Sequence, residues 1–443
     1  MTGDPPAVKV GRYRWMICGL LFAATAINYV DRQTIGVLKP TLQAELRWSE
    51  TSYADIVFWF QAAYAIGYLG FGPIIDRIGA RLGYAIAFSI WTLAHIGHGF
   101  VHTLTQFALV RFTLGLGESG SFPSSLKAVS EWFPQKERAL AVGIFNAGSN
   151  VGAILTPLIV PSITLRWGWR VAFIVTGAVT SVWLIAWLVI YRSPGLHRKV
   201  STSELAYIRS GESLDAATDP AAPAAPAPSV EVSWSKLLTV RETWAYALGK
   251  FLTDPIWWLY LFWLPDFLSK RYHLDLKSFG PPLVAIYLLS DIGSVLGGWG
   301  SSRLMKLGRS ANAARKITMS VCAVAVIPIV FAQFVGQLWG AVAIIGLATA
   351  AHQAWSANLM TLPSDMFPRV AVGSVVGIGG MAGAIGGMLM SQYNGYILDV
   401  FHSYQPIFAL AGGAYITAMW VIHCLSPRLQ RVAEESVTVR RAR

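Results

Sequence analysis

Charge is what this chain has least of. Lysine, arginine, aspartate and glutamate make up 13% of its 443 residues, against about 25% in a typical soluble domain. A water-exposed globular surface cannot be built from so few. Hydrophobic residues fill 54% instead, with 18 tryptophans among them, and the chain reads as a membrane protein that needs a lipid bilayer around it. Cysteine is scarce too. Cys18, Cys322 and Cys424 all lie in or at apolar stretches, which reads as small core residues, with no disulfide framework and no metal-ligand spacing. No Walker A phosphate loop occurs, which argues against an ATP-driven pump. Gly115, Gly117 and Gly120 have the spacing of a dinucleotide fingerprint, but no strand precedes them, and inside an apolar span small residues simply let helices approach. No cofactor and no metal are expected.

The chain instead offers twelve apolar segments of about 20 residues, the length that spans a bilayer. They centre near Phe22, Ala63, Trp91, Gly115, Gly148, Val179, Trp258, Ser290, Val326, Gly346, Gly383 and Gly413. Lys9, Arg12 and Arg14 precede the first of them, which reads as an uncleaved helix. An even number of spans puts both termini on one face. Basic clusters alternate with the spans on that same face, and roughly two-thirds of the lysines and arginines fall there, as the positive-inside rule expects of the cytoplasmic side. Lys270, Arg271 and Lys277 are a local exception. The formal charge of +12 is thus explained by topology, and nucleic acid is not an expected partner.

Between the sixth and seventh spans, Gly211 to Ser233 changes composition to an alternation of alanine and proline that buries no core and forms a mobile linker. Ser201-Thr-Ser-Glu204 just before it has the form of a capping box opening a short interfacial helix. An internal repeat divides the chain at the same place. Phe133-Pro134 is matched 234 residues later by Phe367-Pro368, and at that offset Val142-Gly143 meets Val376-Gly377 and Gly152 meets Gly386. The expected fold is an all-α membrane protein of twelve transmembrane helices in two pseudo-symmetric six-helix halves. Residues 1–192 form the first half, 193–240 a cytoplasmic linker, 241–427 the second half and 428–443 a cytoplasmic tail. Parallel halves of this kind place a substrate site at their interface.

Intramembrane charges point to that site. A formal charge at the bilayer centre costs several kcal/mol (roughly 2.5–3.5), so such residues are rare and usually functional. Arg111 and Glu118 are seven residues apart, on one helix face but about 10 Å apart along the axis, so each needs a partner on another helix. Asp31 and Arg32 are the candidates, with Asn28 sharing their face. The four form a charge-balanced cluster suited to coupling ion movement to an organic anion. Glu118 is the expected proton carrier, because burial disfavours its charge while a nearby arginine favours it. A permanent structural ion pair is the competing reading. Arg111 is expected to compensate charge, unless it snorkels to the surface.

Further candidates are weaker. Asn146, Ser149 and Asn150 share a face of the fifth helix and suit either hydroxyl recognition or helix packing. Lys250 and Asp254 have ion-pair spacing, and Pro255 breaks the ladder beside them, so gating, substrate contact and a structural pair all remain open. Trp257 and Trp258 suit stacking on a sugar ring, or ordinary packing. His352, Gln353 and Ser356 cluster in the tenth helix, with at least one expected to touch substrate. Lys127 suits inward release of an anion, or snorkelling. Asp291 is a reserve coupling carboxylate, and His98 and His102 read as interfacial.

Two six-helix halves with Gly72-Pro-Ile-Ile-Asp76-Arg77-Ile-Gly79-Ala-Arg81 between the second and third spans resemble the major facilitator superfamily. Asn28-Tyr-Val-Asp31-Arg32 and Arg111…Glu118…Phe122-Pro123 narrow the resemblance to its anion:cation symporters. Leu126 to Pro134, Lys250 to Pro255, Ala351-His352-Gln353 and Ser364-Asp365-Met-Phe367 are similar to bacterial hexuronate transporters. The resemblance implies a proton-coupled importer of glucuronate or galacturonate, working by alternating access as a monomer in a bacterial inner membrane, with sodium left open as the coupling ion. It implies a coupling group of Asp31, Arg111 and Glu118, an Arg32 that clamps the substrate carboxylate through its planar fork, and a Tyr64 that lines the cavity. Asp76, Arg77 and Arg81 would form a cytoplasmic latch, thinned by Ala80. Alternatives are another organic anion such as a hexonate, aldarate or aromatic acid, and more remotely a drug/proton antiporter or an intramembrane enzyme.

Overall fold

The computed structural model describes residues 11–210 and 230–440; the alanine/proline run of the linker lies outside them. The first half contains α1 (Tyr13–Leu46), α2 (Glu50–Gly97), α3 (Leu104–Ser119), α4 (Ser121–Trp132), α5 (Gln135–Trp167) and α6 (Trp169–Ile190). Two short helices follow, α7 (Thr202–Arg209) and α8 (Trp234–Thr239). The second half has α9 (Arg241–Phe262), α10 (Leu264–Tyr272), α11 (Gly280–Lys306), α12 (Ala311–Val326), α13 (Leu338–Leu359), α14 (Leu362–Met366), α15 (Arg369–Phe401) and α16 (Gln405–Leu425). All twelve predicted span centres fall inside helices.

Helices and spans do not map one to one. At 48 residues, α2 as a straight rod would be about 70 Å long, more than twice the hydrocarbon thickness. It is two spans that reverse at Gly79, whose φ of 81° and ψ of 163° are essentially closed to a residue with a Cβ. Gly168, between α5 and α6, makes the same turn at φ 84° and ψ 162°. Conversely α3 and α4 are one span broken at Gly120, α9 and α10 one broken at Trp263, and α13 and α14 one broken near Thr361; α12 runs on as a 3-10 stretch to Phe334. Among the described residues, seven helices are long and apolar enough to cross a membrane by length and composition alone. The remaining spans include those that carry Asp31, Arg32, Arg111, Glu118, Lys250 and Asp254, whose charges lower their hydropathy.

The halves repeat one packing scheme. In the first, α1 lies on α5 and α2 on α3; in the second, α9 lies on α15 and α11 on α13. Between halves, α2 packs on α15 and α5 on α11. Matched glycines set the register. A Cβ at Gly152 would stand 2.3 Å from the Ala26 carbonyl oxygen, and one at Gly386 2.3 Å from that of Phe251. Pro134 and Pro368, the matched prolines, precede α5 and α15 with the same backbone geometry.

The starts of α1 and α9 and the ends of α6 and α16 share one face of the bundle, here the terminal face. Ser201 caps α7 by accepting from the Glu204 amide at 3.2 Å. Glu204 does not complete the box; its carboxylate accepts instead from the Arg14 amide and guanidinium at 3.1 and 3.3 Å. Linker and tail are not independent. Val230–Val232 and Thr438–Arg440 pair as antiparallel strands β1 and β2, a small sheet absent from the sequence-based expectation. Cys18 and Cys322 are buried, while Cys424 is exposed.

Candidate functional site

Arg32 is the centre of the site. Its Nε donates to Glu118 Oε2 at 2.8 Å, and its Nη2 donates to Asn28 Oδ1 at 3.0 Å and to the Tyr64 hydroxyl at 3.1 Å. The rings of Tyr29, Tyr64, Phe60 and Trp258 surround the guanidinium at 4.9–5.7 Å, a cage that favours a cation and excludes water. Trp258 comes from α9, so the cage spans both halves. Glu118 Oε1 and Asn28 Nδ2 are buried without a hydrogen-bond partner. The helical spacing explains the convergence. Asn28 and Arg32 are one turn apart, and Arg111 and Glu118 both reach α1 from the same face of α3.

Arg111 behaves differently from its neighbour. Fully buried, it does not snorkel; its Nη2 donates to the Arg32 carbonyl at 2.7 Å. Its Nε and Nη1 have no partner, and no carboxylate forms an ion pair with it among the described residues. Asp31 turns away from both arginines into the core of the first half. Its Oδ2 accepts from Trp91 Nε1 and Thr180 Oγ1, both at 2.8 Å. Its Oδ1 faces His95 Nε2 at 3.2 Å.

In the second half, Trp257 lies flat on the His352 ring, with centroids 5.2 Å apart and planes 6° from parallel. His352 Nδ1 meets the Tyr415 hydroxyl at 2.6 Å. Lys250 and Asp254 form an ion pair of 2.7 Å, respectively about two turns and one turn nearer the terminal face than Trp257. A Cβ at Gly383 of α15 would fall 2.3 Å from Asp254 Oδ2, so this carboxylate is also held against the neighbouring helix.

A family model described as Major Facilitator Superfamily matches residues 21–391. The chain belongs to the major facilitator superfamily. It is a multi-pass membrane transporter and not an enzyme. A hexuronate transporter of Escherichia coli (strain K12) is 30% identical over 435 residues, covering 97% of this chain and 98% of the relative. A galacturonate transporter of Dickeya chrysanthemi is 34% identical over 291 residues, 66% of this chain and 82% of the relative. Among solved structures, a bacterial homolog of the human lysosomal transporter Spinster, inward-facing and occupied, is similar with a TM-score of 0.70, 16% identity and 96% coverage of each chain; at that identity the likeness shows the fold alone.

Other predicted residues of this facilitator sit around the site without joining the Arg32 cluster. Asn146, Ser149 and Asn150 lie on α5, on the terminal-face side of the contact between Gly152 and Tyr29. Ser149 is tied to the Asn146 carbonyl at 2.7 Å, and Asn146 is exposed. Gln353 and Ser356 are half-buried and make no side-chain hydrogen bond among the described residues. Lys127 is half-buried on α4. Asp291 is half-buried, and its Oδ1 has no partner. Arg77 is exposed, the Asp76 side chain lies outside the described residues, and Arg81 donates to the Leu188 carbonyl at 2.6 Å, tying the third span to the end of α6 within one half. His98 corrects the interfacial expectation. It is fully buried, stacked on Phe173 at 4.9 Å, because it faces the packed core, whereas His102 is exposed beside Arg170. No group of three histidines, cysteines or carboxylates is placed to hold a metal among the described residues.

The sequence reading missed a second polar centre at the face opposite the termini. Lys39, fully buried, pairs with Glu50 at 2.6 Å and across the junction with Asp266 at 2.8 Å. Lys270 pairs with Asp266 at 3.0 Å and with Glu50. Asp399 accepts from the backbone amides of Glu50 and Thr51 at 2.9 and 2.8 Å. Deeper in, Ser391 donates to Gln61 at 3.2 Å, Gln33 donates to Tyr287, and Tyr53 donates to the Phe262 carbonyl at 3.0 Å. The two halves are thus zipped together from this face down to the Arg32 cage. Lys39 and Asp266, like Asp31 and Arg32, are charges inside apolar segments, the signal that could have found them.

Proposed function

We propose that this facilitator is a proton-coupled symporter that imports a hexuronate such as glucuronate or galacturonate across a bacterial inner membrane, with both termini cytoplasmic. The observation that carries the reading is the Arg32–Glu118 pair inside an aromatic cage shared by the two halves. Two arginines and two carboxylates balance when both acids are ionised, and nothing then favours an anion. A proton on Glu118 removes the carboxylate that occupies Arg32, leaving its N–H fork and one positive charge for a substrate carboxylate. Asn28 and Tyr64 stand ready to accept or donate beside it. Trp257 and Trp258 offer flat faces to the apolar side of a sugar ring. Proton and anion then favour the same conformer, which is all that coupling requires.

The zipped face opposite the termini supports an inward-facing state for this conformation, with the site reached from the terminal side. Opening outward requires the Lys39, Glu50, Asp266 and Lys270 cluster to part, and these charges are not released into lipid but re-solvated at the surface. Each chain holds a complete site, which fits a monomer. The test is a panel of uronates, aldonates, aldarates and aromatic acids, read as thermal stabilisation of the purified protein and as uptake into proteoliposomes under an inward proton gradient without sodium. Hexuronates should stabilise most and accumulate. Stabilisation by another class alone would replace the substrate, and uptake that needs sodium would replace the coupling ion.

A further inference from the structure

His352 has two ring nitrogens and a neighbour for only one of them. It follows Leu347 by five positions on α13, and Leu347 is exposed on the outside of the bundle. Five residues set two side chains about 140° apart, so His352 points inward. Its Nδ1 lies 2.6 Å from the Tyr415 hydroxyl of α16. Trp257 covers one face of its ring, and Tyr415 meets the ring at 84° with centroids 6.0 Å apart. Nε2 has no hydrogen-bond partner among the described residues, yet it is not sealed in as His95 Nδ1 and His98 Nε2 are. It opens on the interior space beside Trp257.

The hydroxyl decides which nitrogen carries the hydrogen. Tyr415 is fully buried, and its hydroxyl makes no second hydrogen bond among the described residues; Tyr260, a polar neighbour, has a hydroxyl with no partner at all. The Tyr415 proton therefore has one acceptor, Nδ1. Were Nδ1 the donor instead, a buried O–H would be stranded, which disfavours that arrangement roughly ten- to hundredfold in population. A ring protonated on both nitrogens would set a second positive charge near the Lys250 ammonium. What remains is a neutral His352 with its hydrogen on Nε2, aimed by the stack on Trp257.

We infer that Tyr415 is a positioning residue for substrate recognition: it holds His352 in the Nε2–H tautomer, so the second half offers a fixed donor that an acceptor atom of the substrate must meet. This rests on the hexuronate reading above and adds the chemistry by which the sugar body is read. With the substrate carboxylate at Arg32, the atom that His352 takes is a sugar hydroxyl oxygen.

The experiment titrates glucuronate by thermal shift against purified wild type, Tyr415→Phe, His352→Gln and the double variant. Tyr415→Phe keeps the ring and removes the O–H, so affinity should fall about fivefold, the scale of one hydrogen bond. In proteoliposomes KM should rise by the same factor, with Vmax within about twofold. His352→Gln carries an amide donor that needs no tyrosine to set it, so adding Tyr415→Phe to it should change affinity by less than about twofold. An equal loss in both backgrounds means that Tyr415 only packs, and overturns the inference. A second measurement needs no variant. Glucuronates with one ring hydroxyl replaced by fluorine, which accepts but does not donate, or by hydrogen, which does neither, should separate at one ring position, the fluoro compound binding wild type more tightly. Fluoro and deoxy compounds that bind alike at every position overturn the inference and leave the hexuronate reading intact. Failure of every hexuronate to stabilise wild type would remove that reading, and this inference with it.

Discussion

Arg32 and Glu118 in the first half, and Trp257 and His352 in the second, occupy matched positions. The contact of Gly152 with Ala26 and that of Gly386 with Phe251 put Arg32 and Trp257 at the same height on equivalent helices. Glu118 and His352 are separated by the same 234 residues as the two glycines. One scaffold therefore carries an ion pair of 2.8 Å on one side of the junction and a stack of rings 5.2 Å apart on the other. Duplicated backbones have diverged in chemistry, not in geometry. The half with the ion pair can answer to a proton; the half with the rings can answer to shape. On the proposed function, coupling is concentrated in the first half and recognition of the sugar body in the second.

That division is open to breakage. Arg32→Lys keeps the charge but loses the planar fork, and substrate affinity should fall about 100-fold, as breaking a bidentate charge pair in a dry site predicts; thermal-shift titration would measure it, and unchanged affinity would remove the clamp. Glu118→Gln should lower accumulation up a pH gradient about tenfold or more while counterflow persists, since exchange needs no net proton release. Normal accumulation would move coupling elsewhere. Trp257→Leu should weaken affinity roughly fivefold, the scale of one stacking contact, with the pH profile of uptake unmoved. A shifted profile would show that the second half also couples, and the contrast between halves would fail. Asp266→Asn leaves Lys39 short of an acceptor at the zipped face. A cysteine placed at Gln61 should then react a few-fold faster with a membrane-impermeant thiol reagent, because Lys39 keeps Glu50 and the closed state loses about 1 kcal/mol, the net scale of one hydrogen bond. An unchanged rate would mean that the apolar contacts alone hold that face shut.

Hydropathy made the spans legible because lipid demands long apolar helices, and repeats made the halves legible because duplication leaves matched Phe-Pro and glycine pairs. The Arg32–Glu118 pair was also within reach, since a buried charge must find a partner and few were on offer. Helix boundaries were less so. The run of α2 through Gly79 and the break of α3 at Gly120 depend on backbone geometry at single glycines, and 41 glycines give no hint which two matter. Asp31 illustrates a subtler limit. The intramembrane charges alone grouped it with Arg32, Arg111 and Glu118, and could not show that Trp91, His95 and Thr180 would draw it away, because those contacts join helices far apart in sequence. The linker and tail were read as separate segments for the same reason: β1 and β2 lie some 200 residues apart and neither is long enough to announce itself.

Asp399 grips α2 by main-chain atoms. Its two oxygens take the amides of residues 50 and 51, at the positive end of the helix dipole. A side-chain library at those two positions would cost the bond that the Thr51 hydroxyl donates to Asp399 but leave both main-chain bonds in place, proline aside, whereas almost any change at 399 would draw them all. Selection acting on how readily the transporter parts its halves at the face opposite the termini has one residue to work with there, on the opposite half from the helix it restrains.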